Sequence, residues 1–438
     1  MPGEPLQMNN SKPKVLAILP AFIPSTHICI IKPMVGMHRA NLIHAKITLE
    51  YLVSQRSLEW ADLVIFCRNT EPRYDYMLDF LLSRRIPFVY DIDDNFFEAP
   101  LDSEEGEYHR NPGRLAAVTR YIETANWVRV YSEPMLEQVR GLNEKVEMVS
   151  GPIDWSLISP VTADSRRNPV RVVYATSRFD DQLAALFMPG LNHILSEYAG
   201  KVEVHFWGTK PRFVNGGQRI QHHSFVPDYD KFIRRFSQGG FDIGLAPMKD
   251  DSFHRSKTNN KFREYSSCQI AGIYSDVDVY SSCVTNGETG LLVSNSAESW
   301  RNAIARLIED HDLRRKIQRQ AQDYVRGHYS QGEFERVWWD QIQQVLAGRG
   351  THSVAALPQA GISGSPSGKV EDRNWQEQTI LDHLTTKVRN FVVHFKNDGL
   401  RFSLHLFRER LHDFLMVVKL RFFTSSVLKY FRSPKVVK

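Results

Sequence analysis

Residues 241–267 read FDIGLAPMKDDSFHRSKTNNKFREYSS. The stretch opens as a short apolar run ending at Pro247, the pattern of a strand buried in a parallel sheet. A polar loop with Lys249, His254, Arg255 and Lys257 follows, and helical spacing starts near Thr258 to Asn260 and continues through Lys261 and Glu264. A strand, a cationic loop and a helix start, in that order, make an anion site, because unpaired N–H groups and the helix dipole both favour negative charge. A diphosphate fits there. Glu264, about one turn into the helix, can accept hydrogen bonds from ribose hydroxyls. Lys257 and Lys261 also suit a solvated i,i+4 pair that Glu264 offsets.

Outward from this segment the same alternation recurs. Before it come VRVVYAT at 170–176, a helical stretch from Gln182 to Tyr198, VEVHFWG at 202–208 and RIQHHSFV at 219–226; after it come IAGIYSD at 270–276 and TGLLV at 289–293. Trp300, Ala303, Ile304 and Leu307, then Leu313, Ile317, Ala321 and Val325, recur at helical spacing and close the unit. The first third repeats the pattern with VLAIL at 15–19, KITLEYL at 46–52, DLVIF at 62–66, PFVYDI at 87–92, WVRVY at 127–131 and VEMVS at 146–150. Residues 151–169, with three prolines and no periodicity, separate the two halves. The expected architecture is α/β, with two Rossmann-like doubly wound domains facing across a cleft.

Composition narrows the class. The chain has 438 residues, 42% of them apolar and 24% charged, which excludes a disordered or disulfide-scaffold protein for most of its length. Its formal net charge of +5 is uneven. From Glu377 onward twelve lysines and arginines face five acids, so the tail carries the excess and the body is slightly negative. A near-neutral body argues against a nucleic-acid protein. Residues 348–376 concentrate Gly, Ser, Pro and Ala and read as a flexible linker. Residues 377–438 place Leu400, Leu404, Phe407, Leu411 and Phe414 on one helical face and Arg401, Arg408 and Lys419 on another. Such a tail suits either an anionic membrane surface or docking on the body or a partner. Cys29, Cys67, Cys268 and Cys283 form no CxxC pair or zinc spacing and are expected to be reduced thiols. Pro20 and Pro24 break the apolar run after Lys14, so no secretion signal is expected. No GxGxxG or P-loop follows either first strand, which weighs against nicotinamide or nucleoside triphosphate chemistry.

The segment from Phe241 through GETGLLV at 287–293 resembles the donor domain of GT-B glycosyltransferases, above all the large retaining group that reads D-I-G-L-A-P, K-F-x-E-Y, then G-x-x-G-L-L-V. FCRNTEP at 66–72, VYDIDDNFFEAP at 89–100 and VSGPID at 149–154 resemble the same branch. The resemblance spans roughly residues 14–347. It implies sugar transfer from a nucleoside diphosphate sugar bound by the second domain to an acceptor held by the first, without metal or another cofactor. Glu264 matches the second glutamate of the family's E-x7-E pattern, which contacts ribose, but Ser256 stands where the first belongs. Gln269 and Ala271 replace a usual Gly and Pro. Arg178 matches the family's phosphate-binding arginine, and Gly208 and Thr209 match a glycine turn that passes the nucleotide. The implied donor set is Arg178, Gly208, Thr209, Lys257, Lys261 and Glu264.

On the acceptor side, Asp91, Asp93 and Asp94 crowd a strand end, which raises at least one carboxyl pKa and suits a base. Asp94 is the first catalytic candidate and Asp93 the second, although both also fit a loop-fixing network. Arg68 and Asn69, after strand 62–66, are candidate acceptor contacts. His27 and Lys32 also follow a first strand, in a segment whose prolines suggest an irregular loop. The expected layout is an acceptor domain at 1–150, a linker at 151–169, a donor domain at 170–347, a flexible linker at 348–376 and a basic tail at 377–438. The expected protein is a cytoplasmic glycosyltransferase, peripheral to the membrane if the tail binds it, acting on a glycan or lipid-linked acceptor of a bacterial surface polysaccharide. A nucleotide-sugar epimerase of like architecture and a non-catalytic scaffold subunit are the alternatives.

Overall fold

The computed structural model describes residues 12–160, 168–176, 180–209 and 219–348. Arg178, residues 161–167 of the expected interdomain linker, and the flexible linker and basic tail beyond Gly348 lie outside the described residues.

Strands β1 (Lys14–Leu19), β2 (His44–Leu49), β3 (Leu63–Cys67), β4 (Phe88–Asp91), β5 (Trp127–Val130) and β6 (Val146–Met148) pair in the order β2-β1-β3-β4-β5-β6. Strands β7 (Val170–Thr176), β8 (Val202–Gly208), β9 (Ile220–Ser224), β10 (Ile243–Ala246), β11 (Ala271–Ser275) and β12 (Leu291–Val293) pair as β12-β11-β10-β7-β8-β9. Every pairing is parallel. Parallel neighbours need long crossovers, and helices such as Asp75–Arg84, Pro112–Thr124 and Asp181–Glu197 provide them. Side chains alternate between faces accordingly. Leu16 and Ile18 enter one core of the first sheet while Val15, Ala17 and Leu19 enter the other. Val170 and Val172 do the same against Val173 and Ala175 in the second. Strand order reverses beside β1 in the first sheet and between β7 and β10 in the second, so a crevice opens at the carboxyl ends there.

The segment after β1 departs from the expected irregular loop. Residues Pro24–Thr26, His27–Ile31 and Lys32–Arg39 form one helical run whose middle turn is π-helical. Pro24 occupies the first turn, where no N–H is needed. The Lys32 N–H reaches five residues back to the His27 carbonyl. Pro33 has no N–H to offer Cys29 four residues earlier, and that carbonyl instead accepts the Trp338 indole N–H at 2.9 Å.

Trp338 lies on the last described helix, Gln331–Ala347, which the sequence reading assigns to the second domain. It packs on the first: Phe334, Trp338, Ile342 and Val345 join Val15, Leu19 and Ile30 in one core. The chain crosses between domains twice, and the crossings touch, with the Ile153 N–H bonded to the Tyr329 carbonyl at 2.8 Å. No helix of the described residues is long and apolar enough to cross a membrane.

Candidate functional site

At the carboxyl end of β3 the backbone turns at Arg68, which takes a left-handed φ of 59° despite its side chain. The Arg68 N–H bonds the Asp91 carbonyl at 3.0 Å. Its guanidinium pairs with Asp93 and, at 2.8 Å, with Asp94. Across the cleft, the Lys257 ammonium meets the other Asp94 oxygen at 2.6 Å. Burial works to raise the Asp94 pKa, but Arg68 and Lys257 outweigh it and hold the carboxyl well below the usual range. A carboxylate clamped by two cations is a weak proton acceptor.

Asn69 does not line the cleft. It is buried, its Oδ1 accepting the Cys67 N–H at 3.0 Å and its Nδ2 donating to Glu50 at 2.8 Å. Burial pushes the Glu50 carboxyl up to about 8, against the pull of that amide. Asp91 is fully buried as well, taking bonds from Arg129 Nε at 3.1 Å and Tyr131 Oη at 2.8 Å. Burial lifts it to about 6 although Arg129 opposes the shift. The Arg129 guanidinium lies 3.7 Å from the centre of the Trp338 ring and also bonds Gln341, so the crossover helix caps this strand end. A carboxyl pKa is raised at this strand end, but at Asp91 inside the core rather than at Asp94, and burial rather than the crowding of carboxylates is the main cause.

Ser256, at the place of the family's first glutamate, is 1% exposed and belongs to a domain contact. Its Oγ receives Asn95 Nδ2 at 3.2 Å and its carbonyl receives the Ser132 hydroxyl at 2.9 Å. The helix Asn260–Ser267 starts three residues beyond Lys257, as the sequence suggests. Lys261 and Glu264 do not follow Lys257 to Asp94. They pair with each other at 2.8 Å, and Glu264 is buried.

Lys261, Glu264 and Gly208 share one pocket of about 190 Å³, whose walls also include Trp207, Tyr229 and Pro24 of the facing domain. Gly208 ends β8 with φ at 99°, a conformation that a Cβ would strain, and so the backbone turns toward the pocket. Thr209 continues that turn, its N–H bonded to the Thr176 carbonyl at 3.2 Å and its hydroxyl buried with no partner among the described residues. An apolar, aromatic-sided pocket with a carboxylate and an ammonium at one end suits a nucleoside: the ring system against Trp207, the ribose hydroxyls on Glu264. Gln269 takes a left-handed φ of 55°, the turn a glycine makes in the resembled pattern, and its amide bonds Gln322 at 2.8 Å.

Sequence reasoning missed Trp207, Tyr229 and Pro24. The signal for Trp207 was its place before Gly208 at a strand end; Pro24 carried none, since its neighbours in space lie in the other half of the chain. His27 and Lys32 line a cavity of about 420 Å³ together with Asp154 and Asp230. Lys32 pairs with Asp154 at 2.7 Å and Asp230 at 2.9 Å, and His27 bonds Asp230 at 3.0 Å, fastening the first domain to the second. Burial works to raise the Asp230 pKa, but these two partners draw it down to about 2.

No family model matches the chain, and no curated protein matches it in sequence. Solved structures do match in shape. Sucrose-phosphate synthase from Thermosynechococcus elongatus superposes with a TM-score of 0.58 at 14% identity, over 76% of this chain and 100% of that one. HepE of Anabaena in complex with UDP-glucose gives 0.55 at 12% identity over 76% and 100%, and a glycosyltransferase from Rickettsia africae gives 0.53 at 12% over 77% and 99%. Two parallel doubly wound sheets, a cleft between their carboxyl ends and this likeness together establish that the chain has the GT-B glycosyltransferase fold.

Proposed function

We propose that the protein is a glycosyltransferase that moves a sugar from a nucleoside diphosphate sugar to a glycan or lipid-linked acceptor in bacterial surface polysaccharide synthesis. The observation that carries the reading is the pocket at the start of helix Asn260–Ser267, where Glu264, Lys261 and the Gly208 turn converge beside Trp207. HepE, which shares the fold, is seen with UDP-glucose, and that favours a uridine donor here. In this reading Glu264 holds the ribose, and Lys261 with the helix N-terminus receives the diphosphate. Lys257 and Arg178 stabilise the charge that grows on the leaving group, the part a metal ion plays elsewhere.

Asp94 enters the mechanism as the residue that sets Lys257 rather than as a base. Its proton affinity is held down by the two cations that bind it, so an acceptor hydroxyl loses its proton to something other than Asp94, the departing diphosphate oxygen being the nearest candidate in a retaining transfer. Asp93 is tied to Arg68 and acts with it. Arg68 positions both carboxylates, and Asn69 braces the strand end behind them. The tail at 377–438 would hold a cytoplasmic enzyme against an anionic membrane where lipid-linked acceptors lie.

A second reading has one observation behind it: Ser256 is packed into a domain contact where relatives place a sugar-binding glutamate, as a binding subunit without turnover would permit. Calorimetric titration with uridine, guanosine, cytidine and thymidine diphosphate sugars tests donor binding. Saturable binding to one, weakened about 10- to 150-fold in Glu264→Ala, is expected from the loss of a charge-assisted hydrogen bond worth about 1.5–3 kcal/mol. Unchanged affinity in that variant removes Glu264 from the site. Donor binding without transfer to any acceptor would favour the scaffold reading.

A further inference from the structure

Among the described residues, Lys257 is the one lysine or arginine of segment 241–267 that pairs with an acid of the other domain. Lys249 meets Asp180 at 2.6 Å, Arg255 meets Asp250 at 2.7 Å and Lys261 meets Glu264 at 2.8 Å, all inside the second domain. Arg263 bonds the neutral oxygens of Asn259, Asn260 and Pro152. Lys257 reaches over the cleft to Asp94 at 2.6 Å, and its ammonium lies 3.9 Å from the centre of the Phe253 ring. Three residues on, helix Asn260–Ser267 begins without a side-chain cap, since Asn259 commits its side chain to Arg263 and Tyr329. A flexible ammonium beside uncapped N–H groups is where the transfer reading seats the diphosphate.

The two partners of this bridge depend on each other unequally. One Asp94 oxygen is held by Lys257 and the other by Arg68 at 2.8 Å, so losing Lys257 leaves the carboxylate still paired. Arg68 is itself fixed by its left-handed backbone turn and by Asp93. Lys257 has no second acid among the described residues, and its four-carbon stem can swing. The side chains of Asp94 and Lys257 are 15% and 26% exposed, shielded enough from water for the pair to compete with an incoming anion. Arg68 and Lys257 balance Asp93 and Asp94, so this set of four charges is complete before any diphosphate enters it.

Building on the glycosyl-transfer reading above, we propose that Asp94 is an autoinhibitory anion: it holds the Lys257 ammonium in place of the donor diphosphate, and a donor binds by drawing Lys257 away and leaving Asp94 on Arg68. Donor and ion pair then exclude each other, and each weakens the other by the same factor. Only a ligand that carries phosphates can make the exchange. A neutral nucleoside has nothing to offer Lys257, so its affinity is independent of Asp94.

The full chain and its Asp94→Asn variant, whose amide oxygen can stay on Arg68, are titrated by calorimetry with uridine diphosphate, inorganic pyrophosphate and uridine. Both phosphate ligands should bind the variant at least about fivefold more tightly than the parent, while uridine binds the two alike. Asp94→Ser should give the same sign. Lys257→Met should weaken the phosphate ligands and, combined with Asp94→Asn, remove most of the gain. Diphosphate affinity unchanged or lowered in Asp94→Asn, a gain undiminished in the Lys257→Met background, or pyrophosphate bound by neither protein would each overturn the proposal. Failure of the transfer reading looks different: the phosphate ligands bind with the expected gain, but no sugar passes from any nucleotide sugar to any acceptor.

Discussion

Both sheets end in a set of charged residues at the cleft, yet the two sets are used in opposite ways. At the first sheet Asp91 meets Arg129, Glu50 meets Asn69, and Asp93 and Asp94 meet Arg68, so each charge is answered within the protein and most are buried. At the second sheet Glu264 and Lys261 answer each other but also border an open pocket, beside a turn whose Thr209 hydroxyl has no partner among the described residues. A polar residue after a strand marks a crevice in either case. Only accessible, unspent hydrogen-bonding capacity separates a ligand site from a structural junction.

The hardest test of this contrast is Trp338→Ala. If the first set is structural, removing the ring that covers Arg129 and caps Cys29 should destabilise the first domain by about 3–5 kcal/mol. Nucleotide-sugar affinity should hold under conditions where the protein remains folded, as denaturant unfolding followed by calorimetry would read. Next comes the pH profile of Glu50. Its folded pKa of about 8 lies above its ordinary value near 4.5, so the native state binds the extra proton and stability falls as pH rises from about 4.5 to 8. Glu50→Gln should flatten that slope and leave the variant more stable than the parent at pH 8, by on the order of a few kcal/mol. Unfolding curves across that range check it; a parallel slope in both proteins would mean that Glu50 is not the buried acid. The smallest effect belongs to the second sheet. Gln269→Gly relieves a left-handed side-chain residue but frees the unfolded chain, for a net gain of at most about 1 kcal/mol in melting experiments.

Much of the fold was legible because β-branched runs between helix-length stretches can pack only as parallel strands with crossovers, and strands β7 and β8 fall on 170–176 and 202–208 as read. The helix start at Asn260 was legible for the same local reason. Two things were not. The run Pro24 to Arg39 looked irregular, since its three-proline neighbourhood is tolerated only through a π turn and a bond from Trp338, 309 residues away. Asn69 is buried because Glu50, 19 residues away in the same domain, takes its amide, and the pairing of Asp94 with Lys257, 163 residues apart, depends on how the domains close; no local pattern encodes either. Motif matching located the crevice; it could not tell a spent carboxylate from a free one.

The return of helix Gln331–Ala347 to the first sheet makes the second domain an insertion within a discontinuous first domain. Its entry at Ile153 and its exit at Tyr329 are joined by a backbone hydrogen bond, so the insert begins and ends at one point. A segment cut at those two residues would carry its own sheet and could be excised or transplanted as a cassette, whereas the first domain, severed there, would lose the helix that completes its core.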